Sequence, residues 1–274
     1  DILPSSNDPG HARERGGRDS RRQLDDAALR IDAREGPRQG GAPLLLDVEE
    51  PRRAGMPTEL AWNGPALIVG QNAIADAIEK RLASNGIVSH RIDPSLRSEQ
   101  LEAVLGALWT KGETPHLFLT TPHDPDATGN LSTASWSRRR QAAVLIPFRI
   151  CQLWLQRMID QGWMDRASLV SVLNMGGDFG FSASQINACE SGAMAGLTKA
   201  MLIEAWMRGY QETPMKVVDV VSKTSVESIV DGIFRELAVP SHDEEVTVSG
   251  ADRWAVRPEY QPLDIANVDN RSQS

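Results

Sequence analysis

Along most of the chain, short apolar runs ending in turn residues alternate with stretches whose apolar positions recur every three or four residues. PALIVG (65–70) has the continuous apolar character of a strand covered on both faces. In AIADAIEKRLASNG, Ile74, Ile78 and Leu82 share one helical face, and Asn85-Gly86 supplies a C-terminal stop. IVSHRID (87–93) reads as a second strand, and SEQLEAVLGALWTKG follows with Leu101, Val104, Leu105 and Leu108 at helical spacing. HLFLTT (116–121) is a third strand, closed by the Pro/Asp/Gly-rich loop PHDPDATGN. A long helix is predicted over 135–161. Pro147 inside it must mark a kink or a boundary, because a mid-helix proline costs about 3 kcal/mol.

SLVSVLNM (168–175) is the fourth strand, and the next helix runs to about Gly209. In that helix Gly192, Ala193, Ala195 and Gly196 are expected to let backbone approach backbone against a sheet, while Met194, Leu197 and Met201 supply apolar bulk. MKVVDVV (215–221) is the fifth strand. Thr224-Ser-Val-Glu227 has the pattern of a capping box for a helix carrying Val226, Ile229, Val230, Ile233, Phe234 and Leu237, closed by Pro240. EVTVSGADRWAVRP reads as a final strand, a turn and an extended tail.

Single strands alternating with single helices predict an α/β, mostly parallel sheet with helices on both faces, a doubly wound Rossmann-like fold. One interval sets a limit. Between Asp93 and His116 there is room for one helix and no further strand, where a full dinucleotide-binding fold places helix, strand and helix. The sheet is therefore predicted to be truncated.

Composition changes the picture mainly at the ends. Residues 1–57 are dense in Arg, Asp, Gly and Pro, contain no lysine, and carry too little apolar surface to offset the entropy of ordering them. They are expected to be a disordered linker, with a folded domain over 58–260 and a second, C-terminal linker over 261–274. Acidic residues interleave with the N-terminal arginines, so that run is read as solvated linker rather than a nucleic-acid arm. The formal net charge of −8 and pI near 5.2 argue against nucleic-acid and anionic-membrane partners. The two cysteines, Cys151 and Cys189, fall in apolar helical patterns and are read as buried free thiols. No apolar run is long enough to span a bilayer, and a cytoplasmic setting is expected. The chain opens on Asp1 rather than Met, as a fragment of a longer polypeptide does.

The helix beginning near Asn187 is similar to the one that carries a Tyr-x-x-x-Lys pair in tyrosine-dependent short-chain reductases. Counting back from Gly196-Leu197, the Tyr position falls on Asn187, the Lys position on Ser191 and the Ser position on or near Asn174. Tyr210 and Tyr260 do not replace the missing phenol, since Pro214 and Asp264 stand where a lysine is needed. A missing general acid alone costs about 10²–10⁴-fold in rate. The first strand-to-helix turn, Gly-x-x-x-Gly-x-Gly in such enzymes, keeps only Gly70; Gln71 follows it, and Ile74 and Asp76 hold the other glycine places. A Cβ there crowds a pyrophosphate and the Asp76 carboxylate repels it, so Gly70 and Gln71 form a vestigial turn. Arg91, alone at the end of the second strand, is a weak site for an NADP phosphate. The five histidines show no metal-ligand spacing. His123-Asp124 is a candidate dyad in an Asp/Pro-rich turn that is more simply a solvent-facing loop.

Taken in order, SLVSVLNMGGDFG, ESGAMAGLTKAMLIEAW, MKVVDVV and EEVTVSGADRWAVRP resemble the ketoreductase region of type I polyketide synthases and polyunsaturated fatty acid synthases. Glu204 with Trp206, and Val218 with Asp219, belong to that likeness. The resemblance, over roughly residues 60–257, is to the first of two reductase-like halves, a truncated Rossmann unit without cofactor. It implies a partner half that binds NADPH and performs β-ketoacyl-carrier-protein reduction, with an acyl carrier protein as a further partner and a homodimer as another possible assembly. It carries over no catalytic residue. The alternatives are a stand-alone NAD(P)-dependent short-chain reductase with an atypical site, and a pseudo-enzyme that binds an acyl group or a protein.

Overall fold

The structure is a computed structural model and describes residues 62–123, 132–181, 190–221, 223–238, 243–249 and 252–256. Expectations for the two linkers and for Asp124, Asn187 and Cys189 lie outside these residues. Seven strands form one sheet: β1 (Ala66–Val69), β2 (Ser89–Ile92), β3 (His116–Leu119), β4 (Ser168–Gly176), β5 (Met215–Val221), β6 (Glu245–Ser249) and β7 (Asp252–Ala255). Their order is β2-β1-β3-β4-β5-β6-β7, parallel up to β6. Chain direction reverses at β7, which pairs antiparallel with β6. The tail after the sixth strand is thus itself a strand.

Among the described residues six α-helices flank the sheet: α1 (Ala73–Ser84), α2 (Ser98–Trp109), α3 (Thr133–Arg140), α4 (Ile146–Asp160), α5 (Glu190–Met207) and α6 (Val226–Ala238). Ile74, Ile78 and Leu82 of α1 and Ile229, Ile233 and Leu237 of α6 bury one face of the sheet. Leu101 and Leu105 of α2, Ile150 and Trp154 of α4, and Met194 and Met201 of α5 bury the other. Both faces being covered explains why β1 and β3 are buried at every position. Only α2 lies between β2 and β3, so the sheet ends at β2 and the truncation is real.

Three local expectations are refined. The long helix over 135–161 is broken at a π turn, Gln141–Leu145, and Pro147 sits in the first turn of α4. A proline needs no N–H there, and the wider π turn relieves its ring from the carbonyl four residues back. The helix after β5 is capped one residue later than the sequence suggests: the Ser225 hydroxyl accepts the Ser228 N–H at 3.2 Å, while Thr224 donates back to Val221. Most consequential is α5. Its buried face is Glu190, Ser191, Met194, Ala195, Thr198, Met201, Leu202 and Ala205. Gly192 and Gly196 point away from the sheet into open space, and Ala193 is exposed as well. Of the four small residues expected against the sheet, Ala195 alone is there. Helical periodicity decides this: the buried set repeats at intervals of three and four, and the glycines fall between.

Candidate functional site

In an open parallel sheet the ligand crevice lies at the carboxyl ends of the strands, where connections leave in opposite directions. Here β1 sits between β2 and β3, so that crevice opens between β1 and β3. The chain's own side chains occupy it. Asn72 caps α1, its Oδ1 accepting the Ala75 N–H at 3.0 Å. The other end of the same amide donates to the carbonyls of Thr120 (2.8 Å) and His123 (3.1 Å), across the crevice at the end of β3.

Gly70 is required here for a reason unrelated to phosphate. Its φ is +144°, and a Cβ on it would stand 2.1 Å from the Thr120 hydroxyl. Its carbonyl accepts two bonds from Arg91, Nε at 3.1 Å and Nη2 at 2.7 Å. Arg91 Nη1 continues to Asp76 at 2.8 Å and Glu79 at 3.3 Å. The lone arginine at the end of β2 is therefore engaged by the turn and by α1. Gln71 is exposed and its side chain reaches Asp93, whose carboxyl is held below the ordinary range by the Ser95 backbone N–H, the Ser95 hydroxyl and Gln71. Ile74 is buried in the core and Asp76 is ion-paired, so neither glycine place is open. These residues do not fit a pyrophosphate.

Two of the degenerate positions, Asn174 and Ser191, lie within hydrogen-bond reach of each other. The buried Ser191 hydroxyl accepts the Asn174 N–H at 3.1 Å and donates to the Pro122 carbonyl at 3.2 Å. It ties the end of β4 to the segment after β3. Ser191 brings no ammonium to the lysine position and Asn174 no hydroxyl to the serine position, so neither supplies the group that position needs. Next to Ser191, the buried Glu190 forms an ion pair with Arg139 of α3 at 2.7 Å. His123 lends its carbonyl to Asn72. Among the described residues no group of three His, Cys, Asp or Glu side chains is placed to hold a metal ion. Cys151 is a buried free thiol, and burial pushes it up, away from reactivity.

Asp219 has a role that only the fold reveals. Its carboxylate lies fully buried on β5, under the turn that follows β4. It accepts the N–H groups of Met175 (2.7 Å), Gly177 (2.8 Å), Phe179 (2.9 Å) and Val220 (3.0 Å). Burial raises this carboxyl above the ordinary range, and the four N–H donors work against that rise. Gly177 packs directly on Val221, where a Cβ would meet the valine side chain at 2.3 Å, and Phe179 takes a positive φ of 54°. A lone carboxylate in the otherwise apolar run VVDVV is the signal that marks such an anchor, since a buried charge must find partners.

No protein-family model and no curated protein matches this sequence. Solved structures do match its fold. A short-chain dehydrogenase from Streptomyces avermitilis superposes with a TM-score of 0.52 at 13% identity, over 69% of this chain and 89% of the other. A metagenomic short-chain oxidoreductase crystallised with NADP gives 0.50 at 15% identity, over 69% and 99%. Acetoin dehydrogenase from Enterobacter cloacae gives 0.50 at 14% identity, over 73% and 100%. At these identities the likeness shows the fold alone: a Rossmann-like sheet of the short-chain dehydrogenase type, truncated beside β2. Among the described residues no helix is long and apolar enough to cross a membrane.

Proposed function

We propose that this chain is a non-catalytic structural subdomain supporting NADPH-dependent β-ketoacyl-carrier-protein reduction by a homologous catalytic half, within a multidomain polyketide or fatty acid synthase. The observation that carries the reading is the filled crevice. Asn72 and Arg91 lie where a dinucleotide's phosphates would be received, and Ser191 satisfies Asn174 and Pro122 where a lysine would stand. No cofactor is bound by the chain in this account; the NADPH belongs to the catalytic half.

A scaffold needs a face to present, and the outer side of the α4–α5 layer offers one. Met207 is 81% exposed and Ile203 55%, with Trp206 beside them and Phe148 and Leu145 on the neighbouring helical stretch. Gly192 and Gly196 leave the same side of α5 open to close approach by another backbone. Large apolar side chains clustered in water favour a protein partner. The catalytic half is the occupant this reading assigns.

The test is to translate the DNA that follows the codon for Ser274. The proposal expects a Gly-rich strand-to-helix turn and a Tyr-x-x-x-Lys pair within about 200 residues, one further domain. A stop codon or an unrelated domain there removes the catalytic half and with it the proposal.

A further inference from the structure

At the opposite edge of the sheet, His116 opens β3 and is 1% exposed. Its ring is held on both nitrogens. The Asn63 N–H donates to Nε2 at 3.3 Å, so the proton sits on Nδ1, which faces the Ser168 hydroxyl of β4 at 2.9 Å. Trp62 covers the ring edge-on at 4.7 Å and 72°. Trp62 in turn packs on Phe234 of α6 at 5.5 Å, which stacks on Phe118 of β3. Gly64 lies against Pro115, where a Cβ would meet the proline ring at 2.9 Å. The segment leading into β1 is thus joined to the sheet at a neutral imidazole, beside the apolar contacts of Trp62 and Gly64.

We propose that His116 is an acid-sensitive latch: protonation at Nε2 releases the Trp62–Gly64 segment from the sheet while the sheet itself stays folded. The step is a proton gained from solvent and one hydrogen bond lost. Nε2 of the imidazolium carries an N–H, so it faces the Asn63 N–H donor to donor, and the cation is buried against Trp62. Lifting the segment returns the ring to water and relieves both. It is the smallest movement that does so, because Trp62 is only half-buried and lies outside the ladder of β1.

The charged groups on the surrounding elements do not hold the cation in place. β1, β3 and β4 carry no other titratable side chain. Arg81 of α1 and Asp231 of α6 pair with each other, the arginine over the Phe234 ring. Glu236 of α6 is committed to Arg253, Lys216 of β5 donates to the Asp243 carbonyl, and Glu113 pairs with Arg157. Burial alone sets the direction for the ring, down from 6.5 to about 4. The sign follows: a pKa lower in the closed state means the latch is fully favourable above pH 6.5 and is lost as pH falls toward 4.

Hydrogen–deuterium exchange of the full chain, corrected for the intrinsic pH dependence, reads this directly. Protection of the Asn63 amide should fall about tenfold or more between pH 6.5 and 4.5, while β4 amides such as Val170 and Val172 keep theirs. His116→Gln, which keeps an acceptor but does not titrate, should hold its protection flat over that range. Should that variant fail to fold, Trp62→Ala gives a second reading: by nuclear magnetic resonance the His116 ring should titrate closer to 6.5 than in the wild type. Constant Asn63 protection in the wild type, equal loss in His116→Gln, loss of β4 protection in step with Asn63, or an unshifted ring in Trp62→Ala would each overturn the latch.

Discussion

Two turns lie at the carboxyl edge of the sheet, one after β1 and one after β4. They are closed by different means. The turn after β1 is laced by several partly exposed groups: the Asn72 amide on three partners, and Arg91 on Gly70, Asp76 and Glu79. The turn after β4 hangs on one buried carboxylate, Asp219, which four backbone N–H groups surround. Distributed, solvated contacts are individually cheap to lose. A single buried charge is not, because its removal leaves every donor unsatisfied at once. The same fold edge therefore contains a tolerant joint and an intolerant one.

The largest effect should follow from breaking the second joint. Asp219→Ala leaves buried N–H donors without an acceptor and should cost about 3–5 kcal/mol in chemical denaturation. A cost under about 1 kcal/mol would mean that water or neighbouring groups replace the carboxylate, and the contrast between the two turns would vanish.

How much of this was legible in the sequence depends on how local the cause is. The strands were, because ALIV and HLFL are buried at every position and so read as unbroken apolar runs. The truncation was too, since the interval from Asp93 to His116 limits the chain whatever the side chains do. Counting from Gly196-Leu197 names Asn174 and Ser191, and a hydrogen bond joins them in the fold. The orientation of α5 was not legible: Ala, Gly and Met populate both of its faces, so small size alone could not say which side meets the sheet. The pairing of β7 was hidden because DRWA has almost no alternation to read. Asn72 was missed because an Asn ahead of a helix announces a cap and nothing more. Its second role depends on carbonyls 48 and 51 residues away.

The first joint sharpens the comparison from the other side. Asn72→Ala removes a cap worth about 1 kcal/mol and two bonds to carbonyls worth about 0.5 kcal/mol or more each. A loss of about 2 kcal/mol by thermal or urea unfolding is expected, clearly below that of Asp219→Ala. Smallest should be Arg91→Ala. Its ion pairs are partly exposed and count for little, so the loss should stay under about 1 kcal/mol and shrink further in high salt. An Arg91 effect larger than that of Asn72 would mean that the ion pairs, not the amide, hold the crevice closed.

The central claim is that the β1–β3 crevice is filled from within and receives no dinucleotide. Titrating the purified chain with NADPH and following nicotinamide fluorescence tests it most directly. The account predicts no saturable change below about 1 mM, an affinity weaker than about 4 kcal/mol. Saturable binding in the micromolar range would contradict it and return the chain to the ranks of cofactor-binding reductases.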